Sequence, residues 1–358
     1  MARSKAVTIQ DDAEREDERA DPHPHEYLIT AYGADYPIDS LVKRMRTGDI
    51  FVPSFQRHFV WKQPQASRFI ESLLLGLPVP GIFLSRDDET NRMLVIDGQQ
   101  RLETLRRFYD GKFGDVPFSL QHVQPSYEGK TYGDLTEEER RKLDDSILHA
   151  TIVRQDSPAD DKSSIYHIFE RLNTGGTPLT AQQIRAALFH GRPLAALLGE
   201  LNETTPWRIL MGPANPKAKD SELILRFLAL YDDAGSYQQP MKEFLNDFMG
   251  KRSRAGVEKL TEYRSAFVDT ITLVKECLGV RAFKPERTFN AAVFDAVMVG
   301  LARRLSTKIK KPTCEALKRA YDSLLKDEEF VAAYKTGTSA DENVRARLNL
   351  ATSAFASL

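Results

Sequence analysis

Met93-Leu94-Val95-Ile96-Asp97-Gly98-Gln99-Gln100-Arg101-Leu102 is the stretch whose reading decides the fold. Its first four residues are an apolar run of strand length. One glycine later, Leu102, Leu105, Phe108 and Tyr109 recur at helical spacing. A buried strand therefore passes almost directly into a helix. Such a junction aims the first backbone N–H groups and the positive end of the helix dipole at one spot, where anions bind readily. Gly98 removes a side chain and lets an anion come close to the backbone. Asp97-x-x-Gln100 also fits a capping box, which accounts for both residues without any ligand. It does not account for Arg101, which falls at the rim of the apolar face. A guanidinium there needs an anionic partner, either an internal carboxylate or a bound phosphate. Glu103, Arg106 and Arg107 point away, as solvated residues should.

Working outward, helix and strand patterns alternate. Leu41, Val42 and Met45 form a helical stripe ended by Gly48, and Ile50–Pro53 reads as a short strand. Pro64 suits a first helical turn, and Phe69, Ile70, Leu73, Leu74 and Leu77 follow as a buried face. Gly81–Ser85 is an apolar strand, joined to Met93–Ile96 by a polar turn. Thr136–Leu143 reads as a charged helix and Ile147–Val153 as another strand. The expected fold class is therefore α+β for residues 27–156, between a disordered tail at 1–26 and an all-α helical domain at 157–358. The tail expectation rests on residues 1–25, which hold seven acidic and four basic residues.

Beyond Ser157 nearly everything reads as helix. Thr180-x-x-Gln183 is a capping box. Further helices are expected at Ser221–Tyr231, Pro240–Met249, Val257–Leu278, Phe289–Leu305 and Pro312–Leu325. In the third of these, Val257, Leu260, Tyr263, Phe267, Ile271, Val274 and Leu278 form one continuous seam, which is a core signal.

Two other segments carry candidate chemistry. Val52-Pro53-Ser54-Phe55-Gln56-Arg57-His58-Phe59-Val60-Trp61 places Gln56 and Arg57 among aromatic residues. Planar donors beside stacking faces suit a nucleotide or an extruded base, and equally the aromatics could anchor the loop on the core. Arg171-Leu172-Asn173-Thr174-Gly175-Gly176 is either a phosphate-facing turn or a helix stop followed by a new helix.

Charge and cysteine usage set limits. The 358 residues carry a net charge of −1, yet residues 251–311 hold fourteen basic and six acidic residues, a formal +8. Lys251, Arg252 and Arg254 lead that stretch, which can attract a phosphate backbone or be a solvated helical face. No apolar run reaches the roughly 18 residues of a membrane span. Cys277 and Cys314 are too few for a zinc site and read as buried or idle thiols, for which a reducing, cytoplasmic compartment is the simplest reading. The Walker A, Gly-x-Ser-x-Gly and paired-Cys patterns are absent, and no metal-ligand spacing is found.

Three strings occurring in this order carry a family resemblance: Phe51-Val52-Pro53-Ser54-Phe55-Gln56-Arg57, then Ile96-Asp97-Gly98-Gln99-Gln100-Arg101, then Phe169-Glu170-Arg171-Leu172-Asn173-Thr174-Gly175-Gly176. The chain resembles the GmrS-type family, the GmrSD N-terminal domain of systems that restrict modified or foreign DNA. That resemblance implies a ParB/sulfiredoxin-like fold and a nucleoside triphosphate ligand, with Mg²⁺. It assigns phosphate binding to Gly98 and Arg101, with Gln99, Gln56, Arg57, Asn173, Thr174 and Gly175 around the same pocket. Asp97, Gln100 and Arg101 would be the catalytic set if the nucleotide is hydrolysed. The alternative is a sensor without turnover that regulates a partner nuclease. Phe55 stands where relatives often have Tyr, and no Cys lies in the turn for sulfiredoxin chemistry. No His-Asn-His nuclease pattern is evident. The expected partners are therefore DNA, modified or not, and a separately encoded nuclease or effector. No membrane partner is expected, and a homo-oligomer is left open.

Overall fold

The computed structural model describes residues 9–11, 28–52, 59–87, 90–157, 166, 168, 179–307 and 310–358. Two compact units emerge, one running from Glu26 to Leu179 with 186–188, the other holding 180–185, Phe189–Leu358 and the N-terminal stretch. Strand β1 (Ile9–Gln10) belongs to the second unit.

The first unit starts with β2 (Leu28–Pro37), α1 (Ile38–Thr47), β3 (Ile50–Phe51) and α2 (Gln63–Leu75). Next come β4 (Ile82–Arg86), β5 (Met93–Asp97) and α3 (Gln99–Tyr109). A small hairpin, β6 (Lys112–Phe113) and β7 (Val116–Pro117), precedes α4 (Glu137–Asp144) and β8 (Ile147–Ser157). Five strands form one mixed sheet in the order β2-β8-β4-β5-β3. The β2/β8 and β4/β5 pairs are antiparallel, while β8/β4 and β5/β3 are parallel. On one face Ile82, Leu84, Met93 and Val95 meet Leu41 and Val42 of α1, Phe69, Ile70, Leu73 and Leu74 of α2, and Leu102, Leu105 and Phe108 of α3. Leu94 and Ile96 alternate to the other face and are buried too. The continuous apolar run of β5 is thus that of a strand covered on both sides.

β2 has no counterpart in the sequence reading. Residues 29–33 are exposed and Gly33 interrupts them, so no apolar alternation marks this edge strand. Its pairing with β8 over ten residues makes it a strand and carries β8 on to Ser157, past the expected boundary at 156.

The second unit continues with α5 (Ala181–Leu188, shared at its end with the first unit), α6 (Pro193–Asn202), α7 (Thr205–Met211) and α8 (Lys219–Asp233). α9 (Met241–Arg252) and α10 (Val257–Cys277) follow, then β9 (Phe289–Asn290) and α11 (Ala291–Ser306). α12 (Cys314–Leu324), α13 (Glu328–Lys335) and α14 (Asp341–Ala356) close the unit. The Thr180–Gln183 capping box is present in both directions, at 2.9 and 3.3 Å. The α10 seam is buried from Tyr263 to Val274, but Val257, its first residue, is 80% exposed. Among the described residues no helix is long and apolar enough to cross a membrane.

Two expectations about this unit are overturned. Cys277 is buried, but neither cysteine is a free thiol: Cys277 and Cys314 form a disulfide that ties the end of α10 to the start of α12. Residues 9–11 are not a free tail. Ile9 and Gln10 pair in parallel with Phe289 and Asn290, and Asp11 meets Arg226 at 2.8 Å.

Candidate functional site

The turn between β5 and α3 is built around Gly98. Its φ of 95° lies in the left-handed region, and it is the N-cap of α3 without any side-chain cap. A Cβ here would sit 2.4 Å from Ile82 Cγ2 and 3.2 Å from Arg101 Nη2. The missing side chain therefore lets β4 and the Arg101 guanidinium close against the turn. The Asp97–Gln100 capping box is also absent, because the cap falls one residue later and both side chains are engaged elsewhere.

Asp97 accepts from Arg101 Nη2 at 2.9 Å, and the same nitrogen donates to the Gly81 carbonyl at 2.9 Å. Of the two partners open to Arg101 at the sequence level, the structure shows the carboxylate. The pair is asymmetric: the Arg101 side chain is 16% exposed and that of Asp97 43%. Nε of Arg101 is buried and has no partner among the described residues. Among the described residues the guanidinium is thus fixed through one nitrogen, with an exposed carboxylate as its counter-charge.

Gln100 holds the neighbouring loop. Its Oε1 accepts from the Val60 amide at 2.9 Å and the Trp61 amide at 3.2 Å. Phe59 packs edge-on to Phe113, with the Arg107 guanidinium 4.3 Å above its ring, and Trp61 stands edge-on to Phe69. For these described aromatics the anchoring reading holds. Gln56, Arg57, Asn173, Thr174 and Gly175 lie outside the described residues. Gln100 fixes the chain at Val60 and Trp61, two and three residues beyond His58, to the first turn of α3.

The outer face of α3 is less solvated than its pattern implied. Glu103 bonds Arg106 at 2.6 Å and Arg107 at 2.8 Å, and its side chain is only 16% exposed. Burial pushes its carboxyl up, but the two guanidinium groups outweigh that and hold it below the usual range. At the helix end the Tyr109 hydroxyl donates to Asp144 at 2.6 Å; burial and then that carboxylate push the phenol well up.

Residues 38–190 match the family described as the GmrSD restriction endonuclease, N-terminal domain. This part of the chain is a GmrSD-type N-terminal domain. Its matched span opens at the first residue of α1 and contains the whole Gly98 turn. The chain is also similar to an uncharacterized protein of Methanocaldococcus jannaschii, with 33% identity over 88 residues. That similarity covers 18% of this chain and 15% of the relative's length. Within the GmrSD-type domain, sequence reasoning missed Gly81, whose carbonyl shares Arg101, and Ile82, which fills the space beside Gly98. Neither contribution carries a signal, since one is a backbone oxygen and the other an ordinary strand residue.

The basic stretch of the helical unit is more neutral than its composition. Asp232 lies outside the counted window and binds Arg252 at 2.9 Å and Lys259 at 2.5 Å, while Glu200 pairs with Arg264. Lys251 and Arg254 are exposed, but Lys251 lines a pocket with Asp233, Glu243 and Asp247. This is a mixed-charge face rather than an unbroken positive one.

Proposed function

We propose that the GmrSD-type domain is the nucleoside-triphosphate-binding part of a prokaryotic DNA restriction or anti-phage system, with a ParB/sulfiredoxin-like fold. The observation that carries this reading is the half-satisfied Arg101 beside the uncapped start of α3. An incoming phosphate that displaces Asp97 gains a charge-assisted fork and the field of the helix N-terminus together. Asp97 already faces solvent, so releasing it costs little. Arg57, Gln56 and the Asn173–Gly175 segment are added to the proposal by the sequence resemblance alone.

Among the described residues there is no group of three potential metal ligands. Mg²⁺ characteristically takes one or two carboxylates plus the phosphates themselves, so Asp97 alone fits a metal arriving with the nucleotide. Bound there, the ion would add positive charge at the β- and γ-phosphates. Arg101 would stabilise charge moving onto the leaving oxygen, and Asp97 would hold either that ion or the attacking water. Gln100 is a poor candidate for that water, because its oxygen already accepts two amides. The same observation favours the second reading, a nucleotide or modified-DNA sensor without turnover acting on a separately encoded nuclease.

Calorimetric titration of ATP, GTP, CTP and UTP with Mg²⁺ tests the site. Arg101→Lys keeps the charge but loses the planar fork, and affinity is expected to fall roughly 10- to 100-fold. Equal affinity in both proteins rejects the assignment. Phosphate release, with and without DNA, separates the hydrolase from the sensor.

A further inference from the structure

A second guanidinium–carboxylate cluster lies in the helical unit, independent of the nucleotide reading. Arg226 of α8, Asp295 of α11 and Arg347 of α14 have side chains no more than 1% exposed. Arg226 Nη2 donates to Asp295 Oδ2 at 2.5 Å, and Arg347 Nη2 reaches the same oxygen at 3.4 Å. Arg347 Nη1 donates to the Thr338 carbonyl. These three helix-borne residues carry two positive charges and one negative, sealed from water. The missing negative charge is Asp11, whose two carboxylate oxygens accept from Arg226 Nη1 at 2.9 and 2.8 Å.

Asp11 arrives differently from the others. It follows a two-residue strand that pairs in parallel with β9. So short a ladder adds few hydrogen bonds, so the forked ion pair dominates the docking. The helix-borne set is also under-satisfied: Arg226 Nε, Arg347 Nε and Asp295 Oδ1 are buried without partners among the described residues. Strand addition with a side-chain anchor is a peptide-recognition geometry.

We propose that Arg226, backed by Asp295 and Arg347, forms a carboxylate-binding site of the helical unit, filled in cis by Asp11 on strand β1. Its ligand class is a carboxylate borne on an extended segment. With Asp11 removed, the site takes a small free carboxylate, because an uncompensated buried charge recruits whatever anion fits.

The test uses the full chain. Asp11→Ala opens the cavity, and Tm in chloride is expected to fall by roughly 5–10 °C. Formate or acetate at equal ionic strength should recover at least about half of that loss, with wild type unmoved by the exchange. Asp11→Asn fills the cavity without the charge; it should fall comparably and not recover. Should Asp11→Ala not fold in chloride, its refolding yield in formate against chloride gives the same reading. An unchanged Tm in Asp11→Ala, or equal values in formate and chloride, overturns the site. A wild-type Tm that rises with protein concentration overturns filling in cis and assigns Asp11 to a second copy.

Discussion

The turn at Gly98 and the cluster around Arg226 pair the same functional groups and differ in burial. In the GmrSD-type domain, Arg101 is partly accessible and its carboxylate partner is 43% exposed. In the helical unit, Arg226, Asp295 and Arg347 are sealed. Coulomb attraction is weak at the first and strong at the second, and the desolvation cost of leaving a charge alone follows the same order. An ion pair that water can reach is able to exchange its partner for a ligand. A sealed one is committed to whatever completed it on folding.

Three substitutions sharpen that contrast. The largest effect is expected for Asp295→Asn, which leaves two buried guanidinium groups with one carboxylate between them. Urea unfolding should show a loss of about 3–5 kcal/mol. A loss under about 1 kcal/mol would mean that water reaches the cluster and that the two regions are alike. Gly98→Ala comes next. It meets a disfavoured φ and a 2.4 Å contact with Ile82, so about 2–4 kcal/mol is expected. Its effect should appear as fast hydrogen exchange at the α3 start, and unchanged exchange there would show that β4 can move aside.

The smallest effect concerns pH. Glu103 is held below its ordinary pKa, because Arg106 and Arg107 outweigh the burial that pushes it up. A depressed folded pKa adds stability that is complete above the unfolded value of about 4.3 and is lost as pH falls through the folded one. Glu103→Gln should therefore flatten the acid limb of the stability profile below about pH 4 and cost about 1 kcal/mol or less at pH 7. An acid limb as steep as in wild type would assign that sensitivity to other carboxylates.

Much of the fold was legible because period and punctuation are local. The buried run of β5, the stripes of α1 to α3 and the Thr180–Gln183 box were each readable over a few residues. β2 was not, because Gly33 and its exposed neighbours become a strand only through pairing with β8. At the site, Arg101 was recognisable as a guanidinium in need of an anion, but its choice between carboxylate and ligand was not. Gln100 was misassigned because a capping box and a loop pin look identical in sequence; only the approach of Val60 and Trp61 distinguishes them.

Sequence by itself determined where strand passes into helix, that a glycine stands at the junction, and that the second half is helical. These follow from side-chain periodicity and backbone freedom, which are properties of neighbours along the chain. Tertiary structure alone decided that Asp11 meets Arg226 across 215 positions, that Cys277 finds Cys314, and that Ile82 occupies the space beside Gly98. Those pairings depend on which distant groups are brought within a few ångströms, and short-range pattern carries no record of that.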